Sequence, residues 1–255
     1  MNQPRPLPLP TDPGDGCEVS FCSTCAFSDA CSESGVTKVS LEELHCLVQH
    51  VGPFHQGHIV FRTNDAFNSI YAVRAGVIKT CVTDEQGREQ ILGFHLPGEL
   101  IGLNAIYPDR YPCDAITLDT ATLCRFSFGA MASLATRVPK LQERLFRLMS
   151  KDISASYLLT GDFSADERLA AFICDLSARY AARGYSARRL HLSMPRSDIA
   201  NYLCLAPETV SRVLRRFQEE ALIEVDRREL TIHDHDRLAA LARPLLRDQG
   251  QAASR

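Results

Sequence analysis

The hydrophobic pattern changes period several times along the chain. In "VSLEELHCLVQHV", Leu41, Leu44, Val48 and Val51 fall at helical spacing and predict a short helix, with Cys46 as a packing residue. From Gly57 to about Phe128 the apolar runs shorten. "GHIVF", "SIYAVRAGVIKTCVT", "EQILGFHL" and "DAITLDTATLCRFSF" are rich in β-branched and aromatic residues, and Gly76, Gly87 and "LPGEL" punctuate them. Several short strands at even spacing predict a small antiparallel roll or barrel. The helical period returns at Pro139, where Leu141, Leu145, Leu148, Met149, Ile153 and Tyr157 form one apolar stripe. That stripe suits a helix packed on its own roll and a dimer seam equally well. "SADERLAAFICDLSARYAARG" predicts another helix, opened by a Ser164–Glu167 capping box and stopped at Gly184. Leu169, Phe172, Ile173, Leu176 and Tyr180 make its buried face, and Cys174 sits off that face.

"SMPRSDIANYLCLAPETVSRVLRRFQEEALIEVDRRELTIHD" carries the most information. It parses as a helix over Arg196–Leu203, a turn at Cys204–Ala206 and a helix over Pro207–Glu220. Two short helices on a tight turn make a helix-turn-helix. Strands around Ile223–Val225 and Leu230–His233 would follow as a wing, with "DRRE" at its tip. At about 100° per residue, Val210, Val213, Leu214 and Phe217 share one side of the second helix. Glu208, Ser211, Arg212 and Arg215 share the other. That polar stripe is what a recognition helix offers the major groove: Arg forks onto guanine, Glu accepts from cytosine, Ser reaches several base edges.

Composition changes this picture little. The chain has 255 residues, 45% hydrophobic and 23% charged, with a net charge of −3. A DNA surface must therefore be local, and after Lys151 every fixed side-chain cation is Arg. No apolar run reaches the roughly 18–20 residues that span a bilayer. The Pro-rich start, "MNQPRPLPLPTDPGDG", lacks a secretory apolar core and reads as disordered. A cytoplasmic protein is expected, whose ten cysteines are reduced. Nothing resembles an enzyme's acid–base pair.

The cysteines cluster. Cys17, Cys22, Cys25 and Cys31 crowd one short segment, and Cys113 and Cys124 lie on the strand-rich part. Thiolates hold iron–sulfur clusters, and the N-terminal quartet alone has the ligand count of a tetrahedral zinc site. The Cys22–Cys25 pair also makes a C-x-x-C, but without the βαβ setting of a thiol oxidoreductase.

"DIANYLCLAPETVSRVLRRFQ" resembles the helix-turn-helix of the CRP/FNR transcription regulators. "IYAVRAGVIKT", "EQGREQILGFHLPGELIG", "RLFRLMS" and "ADERLAAFICDLSARYAARGYS" are similar to the FNR branch (fumarate and nitrate reduction regulators). The likeness runs from Cys17 to about Asp236. It implies a cytoplasmic, oxygen-sensing homodimer without enzymatic activity. It also implies a 4Fe–4S cluster, palindromic DNA sites with TTGAT-like halves, and contact with RNA polymerase. The family's C-x2-C-x5-C ligands fall on Cys22, Cys25 and Cys31, and its distant ligand on Cys124, leaving Cys17 as a bystander. Its base-reading residues fall on Glu208, Ser211 and Arg212, beside Arg215 on the same stripe.

The chain departs from that pattern in places. About three residues are missing after Met149, where Asp152 and Ser156 are the candidates for an acidic restraint on dimerisation. Ala206 lacks the usual capping hydroxyl, and Arg88 stands where the family often has an acid. A cyclic-nucleotide sensor of the same fold would need an Arg-Ser pair for phosphate; Asp114 and Ala115 occupy those positions, with Arg110 nearby. A haem sensor would draw on His45, His50, His55, His58 or His95.

The expected organisation is α+β. Residues 1–35 form a disordered start with the cysteine segment, 36–138 an antiparallel, jelly-roll-like β-roll, and 139–162 a long dimerisation helix. Residues 163–238 form a winged helix-turn-helix and 239–255 a tail.

Overall fold

The structure, a computed structural model, describes residues 48–156 and 163–246. Eight short strands build the roll: β1 (Val48–Phe54), β2 (Ile59–Phe61), β3 (Ser69–Ala75), β4 (Ile78–Thr83), β5 (Glu89–His95), β6 (Leu100–Ile101), β7 (Asp114–Thr117) and β8 (Ala121–Ser127). They form two antiparallel sheets, ordered β1-β8-β3-β6 and β2-β7-β4-β5. Phe61, Val73, Ile78, Ala115 and Leu123 belong to one buried cluster. Alternation along a strand sends neighbours to opposite faces. Ile70, Ala72, Cys124 and Phe126 accordingly belong to a second cluster, shared with Met131, Leu134 and Leu141 of the helices that follow. The β3–β4 turn requires Gly76: its φ is 80°, and a Cβ would stand 2.5 Å from the Thr120 carbonyl.

Helix α1 (Phe128–Arg137) was not foreseen, because the apolar run "CRFSF" hides the change of period. Helix α2 (Pro139–Ser156) begins at Pro139 as expected. Leu141 is buried, and Leu145, Leu148 and Met149 pack on the same cluster as Cys124, so this part of the stripe covers its own roll. Tyr157 lies outside the described residues.

The C-terminal unit holds α3 (Ala165–Ala181), β9 (Arg189–His191), α4 (Arg196–Tyr202), α5 (Pro207–Glu219), β10 (Ile223–Asp226), β11 (Glu229–Ile232) and α6 (His235–Leu246). The capping box is present: Ser164 Oγ accepts from the Glu167 amide while Glu167 accepts from the Ser164 amide. The wing strands pair as expected, and β9 adds a third strand to their sheet.

Three expectations are corrected. The helix read over 41–51 does not reach Val48 and Val51. They lie on β1, paired with Phe126 and Leu123 of β8, where β-branched side chains suit an edge strand; Leu41, Leu44 and Cys46 lie outside the described residues. Cys174 is buried, because the helical face left open by the sequence reading is covered within the core that α6 joins. The tail read from 239 begins inside α6, which buries Leu238, Ala242 and Leu245 at helical spacing.

Candidate functional site

The recognition stripe is built as the pattern implies. Ala206 is extended, makes no side-chain cap, and hands the chain to Pro207 at the first helical position, whose ring presets the backbone angle. Val210, Val213, Leu214 and Phe217 are buried, and Glu208, Ser211, Arg212 and Arg215 are exposed. Ser211 donates to the Pro207 carbonyl at 3.0 Å and Arg212 to Thr209 Oγ1 at 3.3 Å. Arg215 pairs with Glu219 at 2.9 Å in solvent, a contact readily exchanged for DNA.

Two residues outside the stripe hold the helix in place. Arg216 pairs with Asp166 in the first turn of α3, and Gln218 Oε1 accepts from the Val225 amide of the wing at 2.9 Å. Neither was singled out from the sequence, since both read as ordinary surface positions.

The helix-turn-helix is docked on the roll through α4, leaving α5 outward. β5 is an edge strand, and Asn201 satisfies its open backbone: Oδ1 accepts from the Ile91 amide at 2.7 Å and Nδ2 donates to the Glu89 carbonyl at 2.6 Å. Lys79 bridges Glu89 (2.7 Å) and Asp198 (3.1 Å). Phe94 of the roll packs against Phe172 and Tyr202. Deeper, Glu99 takes Arg179 at 2.5 Å and Arg183 at 2.7 Å, while Arg179 also reaches the Phe94 carbonyl at 2.5 Å. Burial pushes the Glu99 carboxyl up, but the two guanidinium groups outweigh it and hold it down at about 2. Only a sequence signal at long range, an acid in a glycine loop facing Arg179 in the last turn of α3 and Arg183 just past its end, could have suggested this contact.

Of the four expected cluster thiols, Cys22, Cys25 and Cys31 lie outside the described residues, as does Cys17. Cys124 is buried on the face of β8 that α1 and α2 cover, with Sγ 3.5 Å from His50 Nδ1. Among the described residues no group of three or more metal-binding side chains assembles by itself. Cys113 belongs to the opposite, interior cluster of the roll and accepts from Asn104 Nδ2 at 3.6 Å, with burial pushing its thiol pKa up. Burial also raises Cys81 to about 12 and Cys174 to about 11, so both remain thiols.

The phosphate positions of the nucleotide alternative are otherwise engaged. Asp114 accepts from the Thr63 amide (2.6 Å) and hydroxyl (2.9 Å), Ala115 is fully buried, and Arg110 donates to the Asn64 carbonyl. A carboxylate there opposes a phosphate. Among the histidines named for haem, His58 stacks on Phe54, with ring centroids 4.2 Å apart. His95 bonds Thr80 Oγ1 at 3.1 Å. His45 lies outside the described residues. Among the described residues no helix is long and apolar enough to cross a membrane.

Comparison with known proteins agrees. Residues 167–241 match the Crp-like helix-turn-helix domain and residues 52–137 the cyclic nucleotide-binding domain. The chain is 42% identical over 229 residues to the anaerobic regulatory protein of Haemophilus influenzae, covering 89% of each. It is 40% identical over 230 residues to the fumarate and nitrate reduction regulatory protein of Salmonella typhi, covering 89% of this chain and 92% of the other. In fold it matches FixK2 of Bradyrhizobium japonicum, with a TM-score of 0.66 at 22% identity over 76% of this chain and 96% of that one. An outward recognition helix, a wing, an antiparallel roll and relatives at this identity lead to one conclusion: the chain belongs to the FNR branch of the CRP/FNR family, a family of DNA-binding transcription regulators and not of enzymes.

Proposed function

We propose that the chain is an oxygen-responsive transcription regulator of the cytoplasm. In this reading Cys22, Cys25, Cys31 and Cys124 hold a 4Fe–4S cluster, and a homodimer binds palindromic promoter sites with TTGAT-like halves. RNA polymerase is the partner at anaerobic or microaerobic genes. The relatives' printed names, anaerobic regulatory protein and fumarate and nitrate reduction regulatory protein, favour this response.

The observation that carries the reading is the position of Cys124. Its thiol shares one apolar cluster with Leu141, Leu145, Leu148 and Met149 of α2. A ligand bond at Cys124 therefore acts on the packing of the helix expected to dimerise. The donor set fits: four thiolates complete a cubane, and Cys124 offers a buried thiol next to a side chain able to donate to it. The reach fits too. Cys31 precedes Val48 by 17 positions, or about 56 Å of extended chain, and β1 enters the roll beside Cys124. When bound, the cluster supplies an oxygen-labile tether between the N-terminal segment and β8. Glu208, Ser211, Arg212 and Arg215 read base edges, and symmetric half-sites about one helical turn apart set the spacing the dimer must meet. Arg88, exposed and paired with Asp84 at 2.7 Å on the β4–β5 loop, belongs to the surface proposed for polymerase.

Fluorescence anisotropy on a duplex carrying the palindrome tests this function. Protein kept without oxygen is expected to bind tightly. The same protein after exposure to air is expected to lose specific binding. Equal binding in both states would overturn the proposal.

A further inference from the structure

Cys124 stands in the middle of its sheet, between His50 of β1 and Ala72 of β3. Ala72 presents a methyl group. His50 presents a ring whose Nδ1 lies 3.5 Å from the Cys124 sulfur. His50 itself is exposed, on the edge strand through which the chain enters the roll from the cysteine segment. We infer that His50 is a positioning residue for the Cys124 thiolate, donating its Nδ1–H to Sγ and fixing the direction from which the sulfur meets iron. The inference rests on Cys124 being a cluster ligand.

The chemistry follows from the groups present. A ligand thiolate carries only acceptor capacity, so the neighbouring ring nitrogen must be the donor, and the neutral Nδ1–H tautomer provides this. A donor to a cluster sulfur offsets negative charge, which favours the more reduced cluster and raises its reduction potential. The backbone supports this geometry. His50 and Cys124 are directly paired in the β1–β8 ladder, so their side chains leave the same face of the sheet side by side. Two other histidines of the roll are engaged differently, His58 with Phe54 and His95 with Thr80.

The test compares the full chain with His50→Leu and His50→Asn, each loaded with iron and sulfide without oxygen. Asn keeps an N–H close to where the Nδ1–H stood; Leu keeps bulk alone. Two quantities are read: the reduction potential, and the rate at which excess chelator bleaches the visible absorbance. His50→Leu is expected to lower the potential and lose its cluster roughly tenfold faster, the usual scale for a lost outer-shell partner. His50→Asn is expected to restore both toward the wild type. Because His50 is exposed, folding should survive, and thermal melting of the unloaded chains checks it. If His50→Leu melts early, His50→Thr, which suits a strand and reaches less far, takes its place with the same expectation. A loaded His50→Leu or His50→Thr chain with wild-type potential and bleaching rate overturns the inference alone. So does a His50→Asn chain as impaired as His50→Leu, which would mark a purely structural role. A wild-type chain that takes up no iron overturns the inference together with the cluster reading.

Discussion

Arg179 grips Glu99 with both arms of its guanidinium, Nη2 to Oε2 at 2.5 Å and Nε to Oε1 at 2.9 Å, and so joins the DNA-binding unit to the roll. Both side chains are only 16% exposed. A planar fork in a half-dry site gives direction as well as attraction. Asn201 repeats the link on β5, and Lys79 does so from the neighbouring β4. Helix α4 is therefore fixed to the sheet edge while the recognition stripe faces away from it.

Glu99→Gln leaves Arg179 and Arg183 facing each other without their shared carboxylate. Breaking one partner of a buried pair costs about 3 kcal/mol or more. Urea unfolding should show that loss, and Arg179→Met combined with Glu99→Gln should lose less than the sum of the two single changes. Additive losses would mean the contact contributes no coupling.

His95 links acidity to stability. Burial holds its imidazole down at about 4, against an ordinary value of 6.5. The unfolded chain thus binds the extra proton first as pH falls. Stability should decline from about pH 6.5 toward about pH 4, by at most about 1.4 kcal/mol per unit. Glu99, held below its ordinary range, contributes its own loss only below about pH 4.5. His95→Gln should flatten the unfolding midpoint between pH 6.5 and 5; an unchanged slope would assign it to another group.

Arg212 and Arg216 are neighbours with opposite expected roles. Arg212→Ala should weaken binding to the palindrome by roughly 1–3 kcal/mol with little change on random DNA, as a lost base contact does. Arg216→Ala should leave sequence preference intact and cost up to about 1 kcal/mol of stability, because its exposed pair with Asp166 only braces the helix. Binding titrations on both DNAs and thermal melts separate the two.

The recognition helix was readable from the sequence because two demands on it, burial of Val210, Val213, Leu214 and Phe217 and exposure of the polar stripe, write one period into adjacent residues. The strands of the roll were readable for the same local reason. Helix α6 was missed because a short Leu–Ala–Leu spacing gains meaning only from the core it packs into. β1 was misread because Leu44, Val48 and Val51 also satisfy a helical wheel, and only the pairing with β8 decides between them. Of the site, the exposed polar stripe of α5 was legible as a surface, opposite the buried Val210, Val213, Leu214 and Phe217. The facing of Cys124 toward α2, with Cys113 turned to the roll interior, depends on register and was not.

The central claim is that Cys124 completes an iron–sulfur site on the face of the roll that α2 covers. The most direct measurement is the visible spectrum and metal content of protein purified without oxygen, for the wild type, Cys124→Ser and Cys113→Ser. The account predicts a broad absorbance near ~400 nm and about four irons per chain in the wild type and Cys113→Ser, and neither in Cys124→Ser. Stoichiometric zinc without colour, or a cluster lost with Cys113 and kept without Cys124, would contradict it.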